Sequence, residues 1–281
     1  MRIFVTGATG TVGREVIEHL LTAGAHVRAL TRRPENAGLP AAVEVVGGDL
    51  ENPESLVPAF HGVDRMYLLA TGDTRQIVDL AKQTGVRRTV VLSSASAGFE
   101  NDPGGEFHRA AERAVEDSGP EWTHVRPGMF AGNLLDWAEA IRTGGVVKAP
   151  CGAARQSPVH EFDIAAVAAT TLLSDGHHGK IYTLSGLEAL TKTEQVAAIS
   201  NAIGRDIRFE ELTPEQWREH VEEEMPPFAI DWLLGLWALT VDNPEPVLPT
   251  VQEVLGRPAR TVAEWAADHA EHFADNPGTA A

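Results

Sequence analysis

The sequence predicts an α/β fold, a doubly wound parallel sheet joined to a small C-terminal α/β lobe. Three observations predict it. Through the first half, short β-rich runs alternate with segments of helical period, the order that builds a parallel sheet with helices on both faces. Several runs, VVL at 90–92 among them, are apolar without interruption, as strands buried on both sides must be. Between the first run and the first helical segment stand three glycines, in VTGATGTVG at 5–13.

The elements follow in order. Strands are expected over Arg2–Thr6, His26–Thr31, Val43–Gly47, Arg65–Ala70, Thr89–Ser93 and Thr123–Arg126. The helical stretch 12–23 puts Val12, Val16, Ile17, Leu20 and Leu21 on one face, with Gly24 as its C-terminal cap. After Pro127 helices lengthen, strands shorten, and five of the six tryptophans lie beyond residue 130. The expected division is a core over 1–150 and a mostly substrate-binding lobe over 151–281, with some elements returning to the core. That lobe would close over the carboxyl edge of the sheet, where open α/β sheets take ligands.

Composition narrows the function. The 281 residues are 43% hydrophobic and 22% charged, the balance of a globular protein. A net charge of −17 repels phosphate backbones and anionic bilayers, so neither nucleic acid nor membrane is an expected partner. The single cysteine, Cys151, excludes an internal disulfide and a four-thiolate metal site. The N-terminus MRIFVTGATG has too short an apolar run for a signal peptide, and PPFAIDWLLGLWALTV at 226–241 is too short and interrupted to span a bilayer. A cytoplasmic location is expected.

The glycine motif is the strongest chemical signal. Gly7 permits a tight turn, Gly10 lets the backbone approach a diphosphate, and Gly13 lets the helix lie close to the strand. The unsatisfied N–H groups at the helix start suit an anion. The backbone through Gly7, Thr9, Gly10, Thr11, Val12 and Gly13 is the expected cradle of a Rossmann-type dinucleotide site. The second strand ends LTRRP at 30–34, without the acid that bonds ribose hydroxyls in NAD-preferring sites. Arg32 and Arg33 stand there instead, and a forked guanidinium suits a 2′-phosphate, so NADP (NADPH) is favoured over NAD. Asp49 and Leu50 follow the third strand, where Asp49 could accept from the adenine amino group. Ala70 and Thr71 end the fourth strand beneath the cofactor path, and Ser93 and Ser94 end the fifth.

With these pieces the chain resembles the atypical short-chain dehydrogenases/reductases of the NmrA-like branch. The likeness runs through TGATGTVG at 6–13, GDL at 48–50, VVLSS at 90–94, WTHVRPGMFAGN at 122–133, HEFDIAAVA at 160–168 and YTLSG at 182–186. It implies an NAD(P)-binding core, a small substrate lobe and, in members that catalyse, hydride transfer to a quinone or ketone. Other members only sense the cofactor. The likeness also places Pro127, Gly128 and Met129 beside the nicotinamide, and marks a departure. Classical and extended members of the superfamily carry tyrosine, then lysine four residues on, then glutamate four further. Counting back from Glu112 lands on His108 and Gly104. The chain's two tyrosines, Tyr67 and Tyr182, and its four lysines lie elsewhere.

Ser94 and His108 are therefore the candidate catalytic residues. Ser94, like Ser93, could hold a substrate carbonyl or the ribose, or simply cap the turn after the strand. His108 could anchor the nicotinamide ribose, as the lysine would, or donate a proton. Phe130, Asn133, Trp137, Met225, Phe228 and Trp232 are the candidate substrate-binding residues, an apolar slot for a flat aromatic ligand with one polar contact. No metal is expected, since His269 and His272 lack a third ligand. The expected function is NADPH-dependent reduction of a quinone or ketone of an apolar aromatic small molecule, without the tyrosine–lysine acid. A non-catalytic NADP(H) sensor and a redox-neutral isomerase are the alternatives.

Overall fold

The structure, a computed structural model, describes residues 1–99 and 102–274. Seven parallel strands make one sheet. The first six are β1 (Arg2–Val5), β2 (His26–Thr31), β3 (Glu44–Gly47), β4 (Arg65–Leu69), β5 (Arg88–Leu92) and β6 (Glu121–Pro127); the seventh is Lys180–Leu184. Their order is β3-β2-β1-β4-β5-β6 followed by Lys180–Leu184. The chain thus winds outward from β1 to β3 and restarts at β4, on the other side of β1. The gap between β1 and β4 is the switch point at which such sheets bind ligands.

Alternation along the strands explains the layers. Phe4, Met66, Leu68 and Val91 point into a cluster with Phe60, Ile77 and Ala111, on the face covered by α2 (Val57–Phe60), α3 (Thr74–Gln83) and α4 (Pro103–Glu116). Their neighbours Ile3, Val5, Tyr67 and Val90 are as fully buried. On the other face, α1 (Thr11–Thr22) packs along the helix Glu161–Leu173. Each such side chain contributes about 1.5–3 kcal/mol of burial. Among the described residues no helix is long and apolar enough to cross a membrane.

The described chain divides into two compact units. The first comprises Met1–Gly128, Glu161–Leu184 and Pro249–Pro258; the second comprises Met129–His160, Ser185–Leu248 and the chain from Ala259 onward. The limit drawn at residue 150 from the sequence therefore lies inside the second unit. The change of pattern after Pro127 falls at this crossing, but the helix Ala138–Gly144 and strand Val146–Ala149 read like one more αβ repeat of the core, which carries the limit too far. In the second unit Val146–Ala149 pairs in parallel with Arg208–Glu211, and Arg155–Gln156 pairs antiparallel with Leu190–Thr191. Its own core gathers Ile141, Val147, Ile199, Trp265 and Phe273, all essentially unexposed.

Candidate functional site

The first unit builds a cradle at the carboxyl ends of β1 and β4. Gly7 takes φ +60°, a left-handed conformation that side chains disfavour. Gly10 closes the turn, its N–H donating to the Gly7 carbonyl at 3.0 Å. A Cβ on Gly13 would lie 2.1 Å from the Gly7 oxygen, so only glycine lets α1 start this close to β1. The N-cap of α1 is Gly10, with no side-chain capping bond, and its first turn has no acid. The leading N–H groups are thereby left to an anion. These residues fit the diphosphate of a dinucleotide.

Arg14, which sequence reading passed over, fixes the neighbouring loop. Its guanidinium donates to the carbonyls of Thr9 (3.1 Å), Gly38 (2.7 Å) and Ala37 (2.9 Å). That tether holds the segment after β2, where Arg32 and Arg33 are exposed. Neither of these two guanidiniums is engaged by a described residue. Asp49 lies half-buried, one carboxylate oxygen accepting from the Glu51 N–H at 3.1 Å. Leu50 approaches the end of β4 so closely that a Cβ on Gly72, itself at φ +64°, would meet its carbonyl oxygen at 2.3 Å. Ala70 is buried and Thr71 half-buried beside that contact.

At the ends of β5 and β6 the polar groups are tightly arranged. Ser94 caps the short turn Ala95–Gly98, its hydroxyl accepting from the Ser96 N–H at 3.2 Å and hydroxyl at 2.9 Å. Gly105 lets the start of α4 rest on that turn, since a Cβ there would sit 2.1 Å from the Ser96 carbonyl. Glu112, buried, takes a bidentate grip from Arg126 at 2.8 and 2.6 Å. Burial pushes its carboxyl up, but Arg126 and the nearby Ser93 hydroxyl outweigh that and hold it below the usual carboxylate range.

His108 lies half-buried one turn before Glu112, and its Nδ1 is enclosed with no protein partner. Burial lowers its pKa against the opposing pull of Glu112 and Asp102, so the imidazole is neutral near pH 7. A neutral ring can bond a hydroxyl but is a weak acid. Gly104 is exposed, and a Cβ there would meet only the Asp102 carboxylate, at an ordinary 3.9 Å. Tyr67 is buried in β4, and the Tyr182 hydroxyl meets His177 Nδ1 at 2.7 Å. Pro127 is buried at the end of β6, and the Gly128 N–H donates to Leu184.

The candidate substrate-binding residues belong to the second unit. Phe130 bridges Val159, whose N–H bonds the Met129 carbonyl at 2.8 Å. Met129 and Trp137 lie half-buried against the second core. Asn133 is exposed and Met225 half-buried. Phe228 (77% exposed) and Trp232 (45%) share the outer side of the helix Pro227–Asp242. Lys192, not singled out by sequence, is buried. Its Nζ donates to the Pro150 carbonyl at 2.7 Å and sits 3.3 Å from the Trp237 ring centroid. Desolvation brings its pKa down to about 7, opposed by Cys151 and Glu211. Among the described residues no cluster of three potential metal ligands occurs.

Comparison with known proteins gives concordant results. A family model described as NAD(P)H-binding matches residues 7–175. A (4-alkanoyl-5-oxo-2,5-dihydrofuran-3-yl)methyl phosphate reductase from Streptomyces griseus subsp. griseus is 42% identical, over 97% of this chain and 99% of its own. An NAD(P)H azoreductase from Xenophilus azovorans is 36% identical, over 96% of this chain and 99% of its own. The solved NADPH complex of an NADPH-dependent quinone oxidoreductase from Escherichia coli aligns with TM-score 0.80 at 26% identity, covering 95% of this chain and 99% of that one.

Proposed function

The chain belongs to the NAD(P)H-binding family, in the NmrA-like branch of the atypical short-chain dehydrogenases/reductases, and from that premise we propose that it reduces a flat, apolar aromatic quinone or ketone with NADPH. It is an NAD(P)H-dependent oxidoreductase. The observation that supports the substrate class is the pairing of a neutral, half-buried His108 with an open Gly104. A simple aliphatic ketone needs a proton as its oxyanion forms, and neither position supplies a strong acid. A quinone or a conjugated ketone spreads that charge over its own ring and takes its proton from water.

Each residue then has a task. The Gly7–Gly13 cradle and the start of α1 hold the diphosphate, and Arg32 and Arg33 grip the 2′-phosphate while Arg14 keeps their loop in place. His108 anchors the nicotinamide ribose. Ser94 contributes its remaining O–H to the acceptor oxygen, since its lone pairs already serve the turn. Phe130, Trp137, Met225, Phe228 and Trp232 offer apolar surface to the acceptor, and Asn133 a polar contact. When bound, the cofactor supplies the hydride; the protein contributes proximity and orientation. The relatives named for a quinone, an azo compound and an oxo-dihydrofuran phosphate suit acceptors of this electronic kind.

The test is NADPH oxidation, followed by absorbance, with naphthoquinones and polycyclic ketones set against simple aliphatic ketones. Turnover restricted to the first group is expected. Turnover of aliphatic ketones alone would refute the proposal.

A further inference from the structure

The same sheet carries a charged recess at its opposite edge. A cavity of about 540 Å³ opens at the amino ends of β4, β5 and β6. Four cations line it, Arg65, Lys82, Arg87 and Arg88, against three acids, Asp64, Glu121 and Asp175. One positive charge is therefore left over, in a chain whose net charge is −17.

Most of these groups are matched. Arg88 is held by Glu121 and Asp175, each at 2.7 Å, and donates to the Ser174 carbonyl at 2.5 Å. Arg87 meets Asp64 at 3.1 Å, and Lys82 donates to the Ser118 carbonyl at 2.7 Å. Arg65 differs. One of its nitrogens donates to the Leu172 carbonyl. The only described carboxylate within 4.0 Å is Asp175, at that limit, 90% exposed and already engaged by Arg88. Burial first, and then the facing Arg88 charge, lower the Arg65 pKa against the opposing pull of Asp175 and Glu121.

We propose that this recess binds a small phosphate-type oxyanion, with Arg65 as the principal ligand and the exposed Lys82 and Arg87 at its mouth. A guanidinium fork matches a tetrahedral oxyanion, and one bound negative charge would balance the surplus cation. The strands separate this recess from the Gly7–Gly13 cradle. β4 alone spans five residues, about 16 Å. An anion here and a dinucleotide there can be held together.

The experiment is thermal unfolding of the full chain, saturated with NADPH, in inorganic phosphate against chloride of equal ionic strength. Phosphate is expected to raise Tm by roughly 2–4 °C over chloride. Arg65→Gln should abolish that rise, and Arg32→Gln should retain it. No rise in the wild type, or an equal rise in Arg65→Gln, overturns the proposal. If Arg65→Gln does not fold, Arg87→Gln, at an exposed side chain, must at least halve the rise; an undiminished rise there overturns it as well.

Discussion

Replacing Gly13 by alanine separates what the cradle does for the fold from what it does for the ligand. The added methyl carbon would stand 2.1 Å from the Gly7 carbonyl oxygen, 2.8 Å from its carbon and 3.0 Å from Ala8 Cα. Carbon and oxygen need about 3.3 Å, so α1 must withdraw by more than an ångström. The obstacles are backbone atoms, which cannot rotate away. Overpacking of this kind costs about 1–3 kcal/mol, or a Tm lower by about 2–12 °C. The withdrawn helix also takes its N–H groups from the diphosphate, and NADPH Kd should rise at least tenfold, about 1.4 kcal/mol. Gly10→Ala supplies the contrast. Its Cβ meets only the Gly7 oxygen, at 3.3 Å, and its backbone at φ −80° tolerates alanine. Stability should drop by only about 0.5–1 kcal/mol, the difference between glycine and alanine at an N-cap. Yet in the proposed cradle the methyl would stand where the diphosphate approaches the backbone, so NADPH binding should fall as steeply. Calorimetric titration and melting curves on both variants read the two effects. Gly13→Ala melting and binding as wild type would refute the reasoning, as would wild-type affinity in Gly10→Ala.

Three further outcomes are expected. Arg32→Ala with Arg33→Ala removes charge-assisted bonds worth about 1.5–3 kcal/mol, so NADPH Kd should rise about 10–100-fold while NADH Kd stays put; fluorescence titration checks this, and equal losses would disprove the 2′-phosphate assignment. His108→Gln keeps a ribose bond without a titratable ring. It should raise the KM for NADPH more than it lowers kcat and leave the pH profile of kcat unchanged, whereas a large fall in kcat with loss of a limb would make His108 the acid. Lys192 binds its proton more weakly folded than unfolded, so its stability contribution is complete above 10.5 and lost as pH falls through about 7. Lys192→Met should flatten the rise of Tm across that window, and an unchanged slope would show that the buried ammonium is not its source.

What could be read from the sequence was local. The turn between β1 and α1, the apolar strands and the arginines after β2 each depend on neighbours a few residues apart. The tyrosine–lysine–glutamate pattern that the resemblance implies, counted back from Glu112, was enough to locate His108 and Gly104. The burial that lowers the His108 pKa comes from the folded surroundings, which no spacing reveals. Arg14 reaches carbonyls more than twenty residues away, and Gly72 and Gly105 are required by chain segments that approach only in the fold. The run VVLSS left Ser94 either a ligand contact or the cap of a turn, and only in three dimensions does it prove to cap the turn that follows. Lys192 sits at the opening of a helix, where sequence suggests solvent. Trp237, more than forty residues on, covers it instead.

The most direct measurement is a calorimetric titration of the wild-type chain with NADPH and, separately, NADH. One molecule of NADPH should bind per chain, with NADH at least tenfold weaker. Heat from neither would contradict the account, and equal affinity for both would remove the part assigned to Arg32 and Arg33.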